Sequence, residues 1–158
     1  MEKQFLDWLS EFGVEPNEGK VLWTALLVIA VSLLGIVVDW VTKKALLRTL
    51  KIYFAKSKAK WDDVLVDKKV FDNLSHIVPA SLIFWATPVV FKDYPALIDP
   101  LLKVVDLGFV LIVTMFFVSL LNALVVIFKN VPGLKGKPID GYFQLAKIIT
   151  YIIAGILM

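Results

Sequence analysis

Residues 21–60 read VLWTALLVIAVSLLGIVVDWVTKKALLRTLKIYFAKSKAK, and the change of character halfway along decides the fold. Val21–Val38 is a run of 18 residues without formal charge, set between Lys20 and Asp39. As a helix rising 1.5 Å per residue it measures roughly 27 Å, close to the hydrocarbon thickness of a bilayer. Lys43–Lys60 then carries six Lys and Arg48 with no carboxylate among them. At about 100° per residue, Leu46, Leu47, Leu50, Tyr53 and Phe54 fall on one face and Lys44, Arg48, Lys51 and Lys58 on another. That pattern predicts a basic amphipathic helix lying in a membrane surface, with its apolar face among acyl chains and its cations at headgroups. Lys43, Lys44, Arg48, Lys51, Lys56, Lys58 and Lys60 are the expected anchor to anionic lipid. Trp23, Trp40, Tyr53 and Trp61 are the expected interfacial aromatics, because their amphipathic rings prefer headgroup depth.

Composition agrees with a chain that lives in lipid. Mean hydropathy is +0.79 and 59% of residues are apolar, above the range of ordinary soluble domains. Cysteine is absent, which excludes disulfides, thiolate metal sites and Cys nucleophiles. A single His excludes a multi-His metal centre within one chain. The net charge of +3 is concentrated beside hydrophobic runs, so anionic lipid rather than nucleic acid is its expected counter-charge. The acidic N-terminal region does not fit a secretory signal, which needs a basic start.

The chain divides accordingly. Residues 1–19 form an N-terminal segment in which Phe5, Trp8, Leu9 and Phe12 recur at helical spacing; a short interfacial helix over Gln4–Phe12 and a loosely ordered tail both fit. Residues 20–42 form the first transmembrane helix, with Asp39 read as an interfacial residue. Residues 43–72 hold the basic helix and a second helix opened by Asp62 and Asp63, whose carboxylates favour a helix N-terminus. Residues 73–91 form the second span, where Pro79 and Pro88 are the expected kinks and His76 a headgroup or backbone hydrogen-bonding residue. A turn over 92–106 precedes the clearest span, 107–128, whose Ser119 and Asn122 share a face and are expected to bond a neighbouring helix. The loop 129–140 leads into the fourth span, 141–158, where Lys147 can snorkel toward the interface. The expected class is an all-α integral membrane protein with four transmembrane helices and one amphipathic basic interfacial helix.

Sorting cations by flank orients the chain. Residues 1–20 and 92–106 hold four Lys or Arg, while 43–72 and 129–147 hold thirteen. The positive-inside rule therefore predicts cytoplasmic basic segments and an extracytoplasmic N-terminus. No phosphate-cradling loop, Ser-His-Asp arrangement or metal cluster is present, so neither an enzyme nor a cofactor is expected. Anionic membrane lipids are the expected partners, and nucleic acid is not.

One stretch points further. Lys137-Pro138-Ile139-Asp140-Gly141-Tyr142-Phe143-Gln144-Leu145-Ala146-Lys147-Ile148, followed by ITYIIAGILM, resembles the turn between the two helices preceding the pore helix in the MscS-like mechanosensitive channels, specifically their miniconductance (YbdG-like) branch. Lys137, Pro138, Gly141, Tyr142 and Gln144 carry that turn motif. Lys60-Trp61-Asp62-Asp63 and a basic helix after the first span also fit the branch. The resemblance implies a homoheptamer in the bacterial inner membrane that relieves osmotic downshock. It also implies that this chain is the lipid-facing sensor portion of a longer subunit, ending one helix short of the pore. A non-conducting membrane scaffold or assembly module and a small transporter are the competing readings.

Overall fold

A computed structural model describes residues 1–54, 61–131 and 139–158, with the side chains of 50–54 and 61–63 outside the description. Every regular element in those residues is an α-helix: α1 (Glu2–Glu11), α2 (Pro16–Phe54), α3 (Trp61–Asp67), α4 (Val70–Ser75), α5 (Ile77–Val90), α6 (Pro95–Lys129) and α7 (Ile139–Leu157). Four helical segments are long and apolar enough to cross a membrane: α2, α4 with α5, α6 and α7. This is a multi-pass all-α membrane protein.

At the N-terminus the helical alternative prevails over the loose tail. α1 turns back at Gly13, whose φ of 77° lies in the left-handed region that glycine adopts without a Cβ clash. The helix then docks on α2 by a close approach at Gly19, where a Cβ would come within 2.8 Å of Leu6 Cδ2. Phe5 stacks near Trp23 at 5.2 Å between ring centroids, while Trp8 and Phe12 stay exposed.

The 39 residues of α2 measure roughly 58 Å, nearly twice the hydrocarbon thickness. The basic stretch is, as far as Phe54, a continuation of the first span rather than a separate helix. The sequence at the join explains this. No Gly or Pro follows Gly35 before Phe54, and Asp39 reaches Lys43 one turn on at 2.8 Å. An acid preceding a base by four residues is the favourable order on a helix.

The second span is broken. α4 stops at Ser75, His76 forms a turn, and α5 resumes at Ile77. Pro79 is the cause, because it has no N–H for the Ser75 carbonyl and its ring crowds that carbonyl. Ser75 is fully buried at the break and its hydroxyl donates to the Asp72 carbonyl at 2.7 Å. Pro88 lies inside α5 close to its end at Val90. Upstream, Lys69 adopts a φ of 56° between α3 and α4, a left-handed conformation that costs a non-glycine residue about 1 kcal/mol.

α6 begins at Pro95, well before the uncharged run at Leu107. Proline suits the first helical position, where no intrahelical N–H bond is required. Neighbouring elements pair in the order α1–α2–α5–α6–α7, with α4 bridging α2 to α6 and α3 resting on α6. The spans thus form a row one helix thick. Its interior is correspondingly small: the buried apolar side chains among the described residues are Val70, Val90, Ala123 and Ala154.

Candidate functional site

Two ends of the row carry the polar chemistry. At one end, Glu2 of α1 accepts a hydrogen bond from Lys92, which stands in the turn between α5 and α6. That bond, more than the nearby Asp93 charge, raises the Lys92 pKa above its ordinary 10.5. The contact puts the N-terminal segment and the α5–α6 turn on the same side of the row.

The other end gathers the break in the second span, the exit of α2 and the α6–α7 connection. Asp39 Oδ2 meets Lys43 Nζ at 2.8 Å, and Oδ1 lies 3.0 Å from His76 Nδ1. Oδ1 is buried without an aligned hydrogen bond, so the approach to His76 is one of proximity. Asp39 therefore lies between the first span and the break in the second, and His76 at that break faces its carboxylate. Lys44 Nζ sits 4.7 Å above the Trp40 ring, a cation–π contact beside the same junction.

One turn before the hinge, Asn73 Nδ2 donates to Ser119 Oγ at 2.6 Å and to the Met115 carbonyl at 3.2 Å. Ser119 thus bonds a neighbouring helix, and its partner is a residue that sequence reasoning had passed over. Asn122, one turn further along α6, faces elsewhere. It lines a groove of about 690 Å³ together with Lys68, Asp140, Gln144 and Lys147. Asp140 pairs with Lys129 at 2.7 Å, linking the end of α6 to the start of α7.

Two apolar grooves flank the far half of α7. One, about 480 Å³, runs between Phe109, Val113 and Phe117 of α6 and Ile153 and Leu157 of α7. The other, about 470 Å³, lies on the opposite side beside Leu111, Met115, Tyr151 and Gly155. Ala154 is buried between them, and the small side chain brings the two helices together there.

Of the expected anchor, Lys43, Lys44 and Arg48 occupy the last described turns of α2, Lys43 half-buried and the other two exposed. Lys51, Lys56, Lys58, Lys60, Tyr53 and Trp61 lie outside the described side chains, as do Lys137 and Pro138. Gly141, Tyr142 and Gln144 are exposed on the first turns of α7. Trp40 is exposed near the basic end, whereas Trp23 is half-buried against Phe5. Among the described residues no group of three or more His, Asp or Glu side chains converges as metal ligands do. No family model, curated protein or solved structure matches the chain.

Proposed function

We propose that this chain is the lipid-facing, tension-sensing portion of a mechanosensitive channel subunit that protects a bacterium against osmotic downshock. In this reading the chain sits in the inner membrane as part of a homo-oligomer, a heptamer by the resemblance of its α6–α7 region. The N-terminus is extracytoplasmic and the thirteen-cation end is cytoplasmic.

The observation that carries the reading is the row one helix thick, with large apolar side chains outward along its length. Ile29, Leu33, Leu34, Ile36 and Val37 on α2 are all more than half exposed, as are Trp85 and Val89 on α5. Such a row has almost no interior of its own, so its free energy is set by what it touches, and in a membrane that is lipid. Tension stabilises whichever state occupies more in-plane area. A protein whose lipid contact differs between states therefore shifts its equilibrium by that difference. The hinge at His76 and the exposed Pro88 are places where such a row changes shape at low cost.

Patch recordings of the full-length protein in liposomes test the proposal. Stepwise currents that appear with applied suction are the expected result; silence up to the lytic limit, with the protein shown to be inserted, overturns it.

A further inference from the structure

We propose that the groove between the α3–α4 junction, α6 and α7 binds the phosphate of an anionic phospholipid. Lys68 and Lys147 supply the charge, and the Asn122 and Gln144 amides donate hydrogen bonds. The inference rests on the lipid-facing reading above but requires no conduction.

Lys147 lies two turns into α7, in a run that carries no other formal charge from Gly141 to Met158. A lysine this near the end of a span extends its ammonium to headgroup depth, where an anionic group is its favourable partner. Among the described residues that line the groove the one carboxylate is Asp140, and Lys129 already holds it at 2.7 Å. Lys68 enters the same cavity from the α3–α4 junction, so two like charges face one space of about 690 Å³. An anion between them turns that repulsion into attraction. Among the described residues, none of the Lys68, Asn122, Gln144 and Lys147 side chains has a hydrogen-bond or ion-pair partner. Four donors, one from the α3–α4 junction, one from α6 and two from α7, thus line one cavity and have no partner among the described residues.

The wall of the groove selects a lipid over a free ion. Val125 and Val126 of α6 and Phe143 of α7 are apolar and adjoin the donors. An amphiphile satisfies both halves, with its phosphate at the lysines and its chain along the valines. The depth also suits a headgroup. The groove lies where the uncharged run of α6 ends at Phe128 and α7 begins, at the end of the row that carries most of the basic residues. Anionic lipids concentrate near such juxtamembrane cations.

The experiment is native mass spectrometry of the full chain released from detergent, titrated separately with phosphatidylglycerol, phosphatidylcholine and inorganic phosphate. The wild type is expected to retain phosphatidylglycerol about tenfold more strongly than phosphatidylcholine. The Lys68→Gln/Lys147→Gln variant is expected to retain one phosphatidylglycerol fewer. Lys68→Arg/Lys147→Arg and the opposite-end control Lys20→Gln/Lys103→Gln are expected to retain the wild-type number. The proposal is overturned by any of three results: no headgroup preference in the wild type, an unchanged lipid count in the Gln pair, or displacement of phosphatidylglycerol by equimolar inorganic phosphate, which marks a free-phosphate site. Because the readout is bound mass, absence of tension-gated current leaves a positive result standing. Conversely, loss of the lipid with intact current removes the groove and spares the sensor.

Discussion

Replacing Asn73 is the most informative single perturbation of the fold. Its amide nitrogen serves two acceptors on one face of α6, Ser119 Oγ at 2.6 Å and the Met115 carbonyl at 3.2 Å. These acceptors stand one turn apart, so one side-chain NH2 group spans both. Interhelical hydrogen bonds in membranes average about 0.6 kcal/mol and reach about 1.7 kcal/mol, because the unfolded helices also find partners. Asn73→Ala removes two such bonds and is expected to cost about 1–2 kcal/mol, the shorter bond contributing more. Ser119→Ala removes the shorter of the two and is expected to cost less than Asn73→Ala but more than half as much, since the Met115 carbonyl still receives its bond. The pair then forms a double-mutant cycle whose coupling energy, roughly 0.6 kcal/mol or more, isolates the Asn73–Ser119 contact. Steric-trap unfolding in bicelles measures all four members without leaving a membrane environment. A coupling energy of zero, or equal costs for the two single variants, refutes the reasoning.

Three further predictions concern other joints of the row. Gly19→Leu places a branched side chain where a Cβ alone meets Leu6 at 2.8 Å. It should undock α1, separate Phe5 from Trp23 and red-shift the tryptophan emission, whereas Gly19→Ala should be near neutral because Leu6 can rotate aside. The pKa of Lys92 is raised by its bond to Glu2, so the docking it supports is fully present below the unfolded value of 10.5 and fades as pH rises above that value. Protection of the α1 amides, measured relative to the intrinsic base-catalysed exchange rate, should therefore fall in strongly alkaline buffer, and Lys92→Met should remove that fall. Pro79→Ala restores an N–H opposite the Ser75 carbonyl, and spin-label distances across residues 72 to 90 should show α4 and α5 joined into one straighter helix.

The membrane-spanning class was legible because hydrocarbon demands long uncharged helices, and such runs stand out in any sequence. Helix limits were less legible, because the length of an uncharged run reports what lipid can hold rather than where the backbone turns helical. α6 starts at Pro95 because Asp99, Lys103 and Asp106 are compatible with a helix that projects beyond the hydrocarbon. α2 likewise passes through Asp39 and Lys43 without a break, since an acid and a base one turn apart reinforce the helix. Pro79 announced a disturbance of the second span, and the break falls at the preceding turn because the clash is with residue 75. The tie between Asn73 and Ser119 was not legible: 46 positions separate them, and only the docking of α4 on α6 brings them together. The same holds for the groove. Lys147 could be recognised alone as a cation in a span, but its company of Lys68, Asn122 and Gln144 depends on three elements meeting.

The absence of native cysteine makes the central claim, that the basic end of the row faces the cytoplasm, directly measurable. Single cysteines at Ser10 and Asp93 on one end, and at Lys69 and Asn130 on the other, can be probed in intact cells with a membrane-impermeant maleimide. The account predicts labelling of the first two at once and of the second two only after permeabilisation. Immediate labelling at position 69 or 130 would contradict it.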